Sequence, residues 1–202
     1  TFEHCSTVSE MNPEIAPPLR LTDCSLVTDG AAALILTTDE NAATFPKSVA
    51  MRAAEHVNDF LPMSRRDFLA FEGPERAFAQ AFKAANVTLE DIDFAEVHDC
   101  FTIAELLTYE AMGLASKGQG VRALEDGTVY RGGALPVNLS GGLKAKGHPV
   151  GATGVSMHAL AFRQLTNQAG DLQVPDAELG LLFNMGGSAV ANYVSVLEAR
   201  KV

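Results

Sequence analysis

A histidine and a cysteine stand two positions apart in the stretch Glu96-Val97-His98-Asp99-Cys100-Phe101. The pattern predicts a strand over Asp93 to Val97 and a helix over Thr102 to Met112, stopped by Gly113. His98 and Cys100 therefore sit at a strand-to-helix turn. Such a turn can aim both side chains at one cavity, and the helix N-terminus adds positive potential there. A cysteine in that place is expected to have a lowered pKa and to act as a proton carrier or a nucleophile. On this stretch alone, the alternative is that Cys100 packs as a small apolar residue and His98 caps the helix.

A second histidine, His148, lies in Asn138-Leu139-Ser140-Gly141-Gly142-Leu143-Lys144-Ala145-Lys146-Gly147-His148-Pro149-Val150-Gly151-Ala152-Thr153-Gly154. Glycines let the backbone approach a ligand closely. A histidine in such a loop can donate to a carbonyl oxygen or take a proton from a thiol. The competing reading is a tight loop with helix-packing glycines. The pattern is neither a Walker A nor a G-x-G-x-x-G motif. A third stretch, Phe183-Asn184-Met185-Gly186-Gly187-Ser188-Ala189, links two expected strands. Its glycine N–H groups, Gly186 included, could form part of an oxyanion hole, or the stretch is a plain hairpin turn.

Other chemistry-bearing side chains lack such company. Lys144 and Lys146 are expected to be solvated, although they could meet a phosphate. His4, His56 and His158 read as structural or surface residues. Cys24, beside Leu21 and Leu26, reads as a buried thiol, and Cys5 has no assigned role. The three cysteines show no C-x-x-C spacing, so neither a disulfide framework nor a zinc site is expected, and a reducing compartment fits. No metal is expected.

The elements that must position these residues alternate in kind. Residues 1–20, with Pro13, Pro17 and Pro18, read as an extended segment or linker. Ala31 to Leu36 is compatible with a buried strand, though a helix is not excluded. A break over Thr38 to Pro46 predicts a boundary between units 1–44 and 45–202. Ser48 to Val57 reads as a strand. Pro74 to Ala85 reads as a helix with Ala77, Phe78, Ala81, Phe82 and Ala85 on one stripe and Asn86 ending it. Residues 116–137 look like a long surface excursion. Gly151 to Gln168 reads as a helix, and Gly180 to Phe183 and Val190 to Leu197 as strands. This alternation implies a layered α/β/α fold.

Of the 202 residues, 47% are hydrophobic and 20% charged, enough for a sizeable core, and the formal net charge is -10. So acidic a surface repels phosphate backbones, which argues against nucleic acid as a partner. No apolar run approaches the ~18 residues of a membrane span. The sequence from Thr1 shows no signal-peptide pattern, and the ending Ala199-Arg200-Lys201-Val202 is not an SKL-type address. A cytoplasmic location is expected.

Taken together, the three stretches resemble the thiolase superfamily, in particular its sterol-carrier-protein-type members. HDCF at 98–101, NLSGGLKAKGHPVGATG at 138–154 and NMGGSA at 184–189 occur in the family's order. The stretch from Asn12 through Ala33 is similar to the end of the family's N-terminal domain. The resemblance implies a thiolase-like fold: the last strand of an N-terminal domain followed by the C-terminal domain. It implies acyl transfer on coenzyme A thioesters, by thiolysis of 3-oxoacyl-CoA or Claisen condensation, in lipid metabolism such as fatty acid β-oxidation. The coenzyme A thioester is then a substrate, with no covalent cofactor, and the full-length enzyme is a homodimer or tetramer.

The resemblance also implies residue roles. His98 and His148 become oxyanion donors, His148 also activating the nucleophile, and Cys100 becomes the acid/base. Many thiolases carry a second catalytic cysteine where this chain has Asn184. Nothing here matches the family's nucleophilic cysteine, so the chain alone is expected to be inactive. Two alternatives keep the fold: a non-catalytic subunit completing a partner's site, and a retro-aldolase acting on sterol side-chain CoA esters.

Overall fold

The computed structural model describes residues 1–200. Lys201 and Val202, half of the C-terminal tetrapeptide weighed as an address, lie outside the described residues. In chain order the elements are α1 (Phe2–Ser6), β1 (Glu14–Ala16), β2 (Leu19–Arg20), α2 (Asp39–Ala42), β3 (Val49–Asn58), α3 (Glu72–Ala85), β4 (Phe94–Val97) and α4 (Thr102–Ala111). They continue with α5 (Arg122–Glu125), α6 (Gly142–Lys146), α7 (Thr153–Leu165), β5 (Leu179–Gly186) and β6 (Ala191–Ala199).

The main sheet has the order β3-β6-β5-β4. β5 and β4 run parallel, and the other two pairings are antiparallel. Strand alternation divides its side chains between two cores. Leu181, Phe183, Val97 and Val194 join the α3 and α4 side, where Ala77, Phe78, Ala81, Ala85 and Tyr109 are also buried. Phe78 reaches Phe183 with ring centroids 5.0 Å apart. Burying one such ring contributes about 1.5–3 kcal/mol. Leu182, Phe94 and Leu197 join the other side, against Met157, Ala161 and Leu165 of α7. The result is a helix layer on each face, the α/β/α arrangement expected.

α3 starts two residues before the expected Pro74, and Asn86 ends it in a left-handed conformation at φ 52°. The 116–137 excursion is less superficial than its composition suggests: it holds α5 and buries Ala123, Val129, Leu135 and Val137.

Residues 1–20 are not a linker. They fold around Asn12, which is fully buried. Its Nδ2 donates to the carbonyls of His4 (2.8 Å) and Thr7 (3.1 Å), and its Oδ1 accepts from the Thr22 N–H at 3.0 Å. One buried amide thus ties α1 to the end of the small β1-β2 hairpin. Ala31 to Leu36 forms neither strand nor helix; Ile35 is 84% exposed. Among the described residues no strand pairs with it, so its apolar side chains find no face to cover. The buried strand that composition allows over Ala31 to Leu36 is therefore not formed in this structure.

Candidate active site

The site lies at the carboxyl ends of the parallel pair, where open α/β sheets place ligands. Val97 of β4 is in register with Phe183 of β5. The next residue on each chain is His98 and Asn184, and His98 Nδ1 meets Asn184 Oδ1 at 2.6 Å. With the amide oxygen facing the ring, Nδ1 carries the proton and Nε2 keeps a lone pair. His98 then becomes an Nε2 donor only after taking up a second proton. It does not cap α4, whose N-cap is Phe101.

Gly154, in the first turn of α7, makes room for this arrangement. A Cβ there would lie 3.0 Å from Asn184 Nδ2.

His148 arrives from the Gly-rich loop. Its ring stands edge-on to that of His98 with centroids 5.0 Å apart, although the two residues lie far apart in the chain. Its Nδ1 meets the buried Thr153 hydroxyl at 2.7 Å. That hydroxyl also reaches the Pro149 carbonyl at 3.1 Å. The same carbonyl already accepts N–H groups from Ala152 (2.8 Å) and Thr153 (2.9 Å). The Thr153 proton can therefore turn to either neighbour, which leaves His148 Nε2 able to serve as donor or acceptor. Val27 runs beside His148 as a short parallel bridge.

Burial lowers the pKa of His98, opposed by the Asn184 hydrogen bond. Burial also lowers that of His148, with nearby Asp99 pulling it up and Lys146 pulling it down. Both rings are therefore mainly neutral at pH 7, the state in which an imidazole can accept a proton.

Asp99 is buried behind the histidines. Its carboxylate accepts the N–H groups of Leu143 (2.6 Å) and Lys144 (3.4 Å), capping α6 from a distance. Gly142, at φ 59°, permits this, because a Cβ would stand 2.1 Å from Asp99 Oδ2. Glu96, also buried, accepts the Ser140 hydroxyl at 2.6 Å and faces Lys146 Nζ at 3.6 Å. Burial raises the Glu96 pKa, against the pull of Ser140 and Lys146. Asn138 binds the Val97 N–H through Oδ1 (2.8 Å) and Glu105 through Nδ2 (3.1 Å). These contacts fix the loop that carries His148.

Several expectations need correction. Cys100 does not have a lowered pKa: its half-buried thiol packs against the larger core, and burial, with Asp99 adding to it, pushes the thiol up to about 11. The dipole of α4 does not overcome that desolvation. Lys144 and Lys146 are not simply solvated: Lys144 Nζ donates to the Cys24 carbonyl and Lys146 pairs with Glu96. Cys24 is half-buried rather than buried, and Leu26 beside it is exposed. The stretch Phe183 to Ala189 does link two strands: residues up to Gly186 belong to β5, and a turn at 187–190 leads back into the antiparallel β6. Gly186 is exposed at the strand end, and a Cβ there would meet nothing within 4 Å. Its side is therefore open to a ligand.

His158 is structural, as expected. It spans from the Gly154 carbonyl (2.7 Å) to the Ser195 hydroxyl (3.1 Å). His56 stacks on Tyr193.

Beside His148 lies an open cleft of about 390 Å³ between Thr28-Asp29-Gly30 and Pro149-Val150-Gly151. A cavity of about 430 Å³ sits at the other end of β4 and β5, near Asp93 and Leu179, away from both histidines. Among the described residues no group of histidine, cysteine and carboxylate side chains is arranged to hold a metal ion, and no helix is long and apolar enough to cross a membrane.

Sequence reasoning singled out His98, Cys100, His148 and Gly186. It missed the working partners Thr153, Asp99, Glu96, Ser140 and Asn138. All five lie inside the stretches quoted above, and their polar types beside the histidines and glycines were the available signal.

Known proteins are similar to this chain. An acetyl-CoA acetyltransferase of Methanothermobacter thermautotrophicus is 44% identical over 176 residues, covering 86% of this chain and 46% of that protein. Sterol carrier protein 2 of Homo sapiens is 39% identical over 186 residues, covering 88% of this chain and 34% of that protein. The chain thus spans half or less of the length of these relatives. The solved structure of an Ltp2-ChsH2(DUF35) aldolase superposes with a TM-score of 0.82 at 20% identity, over 100% of this chain and 52% of that one, which shows a shared fold. The family model described as thiolase C-terminal domain-like matches residues 54–199, from within β3 to the end of β6 and including both histidines, and the chain belongs to that family.

Proposed function

We propose that this chain carries the proton-transferring and oxyanion-stabilising part of a thiolase-type acyltransferase site for coenzyme A thioesters. The observation that carries this reading is the edge-to-face pair of His98 and His148, each anchored through Nδ1 and each with Nε2 left for chemistry. Neither ring is spent on a structural bond at that nitrogen among the described residues.

In this reading His148 Nε2 takes the proton of a nucleophilic thiol. The thiolate attacks the thioester carbonyl, and the imidazolium so formed stabilises the oxyanion through the same N–H. The Gly186 backbone N–H serves a second oxyanion. Cys100, protonated at neutral pH, gives its proton to the carbanion released when the carbon–carbon bond of a 3-oxoacyl thioester breaks. His98 Nε2 relays protons between them.

The nucleophile is not one of this chain's cysteines. The Cys100 thiol stays protonated, Cys24 Sγ faces the Arg20 carbonyl at 3.7 Å, and Cys5 lies exposed outside the site. A further polypeptide segment supplies it, and residues 1–202 alone are inactive. The test is twofold. Purified residues 1–202 should not turn over acetoacetyl-CoA. An enzyme that joins this chain to a thiolase nucleophile segment should cleave it, and His98→Ala in that enzyme should lower kcat by about 10²-fold or more. Turnover by the isolated chain, or a silent His98→Ala, would overturn the reading.

A further inference from the structure

Asp99 stands between His98 and Cys100 in the chain, is 4% exposed, and moves no proton in the steps proposed for the site. Aspartate is almost never so deeply buried unless the fold holds it. Among the described residues Asp99 forms no ion pair. Backbone holds it instead. Oδ1 accepts the Leu143 N–H at 2.6 Å, a short, charge-assisted bond, and Oδ2 faces the Lys144 N–H at 3.4 Å.

Both N–H groups belong to the start of α6, and α6 ends at Lys146, two residues before His148. One side chain thus fastens the turn that carries His98 to the short helix that delivers His148. The fit leaves no slack, because the Gly142 backbone lies directly against Asp99 Oδ2. Glu96 reaches Ser140 ahead of α6 and Lys146 at its end, whereas Asp99 grips the backbone of α6 itself.

The charges facing His148 come from several elements. Asp99, from the turn after β4, favours the protonated ring, and Lys146, from α6, opposes it. Lys146 is paired with Glu96 of β4. The two act on His98 in the same opposite senses. Asp29 lies exposed across the cleft. The contacts from α7 and β5 are neutral: the Thr153 hydroxyl on His148 and the Asn184 amide on His98.

We propose that Asp99 is a positioning residue of this site: by anchoring α6 it sets the separation of the two histidine rings, and its negative charge steadies the imidazolium formed when His148 accepts the thiol proton. This inference rests on the acyltransfer reading. In that step the S–H bond breaks, the proton passes to His148 Nε2, and the electron pair stays on the thiolate. Net charge is unchanged, but a positive ring now faces Asp99. An anion already fixed by backbone N–H groups needs no rearrangement at that moment. Asp99 acts through His148, not on the substrate.

Asp99→Asn keeps an oxygen for the Leu143 N–H and removes the charge, whereas Asp99→Ala removes both. In residues 1–202, a ¹H–¹⁵N titration should find the His148 pKa lower in Asp99→Asn than in wild type. His158, bonded at both nitrogens, is the internal reference. Ring-to-ring NOEs between His98 and His148 should persist in Asp99→Asn and vanish in Asp99→Ala. An unchanged His148 titration in Asp99→Asn, or intact NOEs in Asp99→Ala, overturns the proposal. If a variant does not fold, the wild-type chain decides: the Asp99 carboxyl ¹³C resonance should move at the His148 midpoint, and a resonance indifferent to it overturns the proposal.

In the enzyme joined to a nucleophile segment, Asp99→Asn should lower kcat by about 10-fold or more and leave KM for acetoacetyl-CoA nearly unchanged. The acidic limb of its kcat/KM profile should move to lower pH. A lowered Tm with wild-type kcat and an unmoved profile overturns the proposal. Absence of turnover in the parent enzyme would refute the acyltransfer reading instead, while the titration would still decide whether Asp99 acts on His148.

Discussion

His98 and Asn184 are adjacent because two parallel strands end in register, one step past Val97 and Phe183, and their side chains close at 2.6 Å. The amide takes the Nδ1 proton without adding charge. Asn184→Asp places a carboxylate on the same ring, which favours the imidazolium. The His98 pKa should therefore rise above its wild-type value, while Asn184→Leu should not raise it. A ¹H–¹⁵N titration of the imidazole resonances in residues 1–202 checks both.

His148 and His158 provide a matched contrast. His148 is anchored through Nδ1 with no hydrogen bond at Nε2 among the described residues, whereas both His158 nitrogens are bonded within the fold, to Gly154 and Ser195. In the joined enzyme, His148→Ala should lower kcat by about 10²–10³-fold, the usual loss for one oxyanion donor. His158→Ala should cost less activity and more thermal stability. Steady-state rates measured beside Tm resolve the two, and near wild-type rates for His148→Ala would remove it from the chemistry.

Cys100 should alkylate slowly. With its thiol pushed up to about 11 from 9.0, the thiolate is scarce at neutral pH. Iodoacetamide at pH 7.5 should modify native Cys100 about 10²-fold more slowly than the same cysteine in urea-unfolded chain. Peptide mass spectrometry reads the ratio. In the joined enzyme Cys100→Ser should still form the acyl-enzyme but lose about 10²-fold or more at proton transfer. A lowered Tm with unchanged kcat would return Cys100 to packing alone.

Glu105 gives a pH signature. Burial raises its pKa above 4.5, and its partners Tyr109 and Asn138 only partly oppose this. A folded-state pKa raised above the unfolded value means that protonation stabilises the fold below pH 4.5, a contribution lost as pH rises through the folded value. At pH 8 the charged form is therefore a burden. Glu105→Gln removes it and should raise Tm at pH 8, by about 2–4 °C for each kcal/mol released. The gain should shrink as pH falls toward 4.5. Parallel melting curves across that range check the convergence.

Much of this was legible in the residues. The apolar stripe of α3 and the strand-to-helix turn at His98 follow from spacing that local physics honours. Cys100 was misread because helix dipole and desolvation act on it in opposite directions, and only coordinates show that desolvation wins. Lys146 looked solvated because its partner Glu96 lies far away in sequence. The 1–20 segment looked like a linker because prolines and polar residues dominate it, while its organiser is one buried amide, Asn12, with partners on both sides in the chain. Asn184 was noticed as a departure, but its bond to His98 depends on the register of β4 against β5, which no local pattern encodes.

The exposed run Ala31 to Leu36 has a practical consequence. It is six residues of uncharged, aliphatic chain, with Leu36 80% exposed and no strand beside it among the described residues. Such a stretch offers open backbone donors and acceptors to any similar stretch, and two copies can zip together in cross-β fashion. Only Asp29 on one side and Asp39-Glu40 on the other place charge near it. Expressed by itself, the chain should be most prone to clump through this ribbon, and a lysine at Ile35 would act as a gatekeeper that keeps it dispersed.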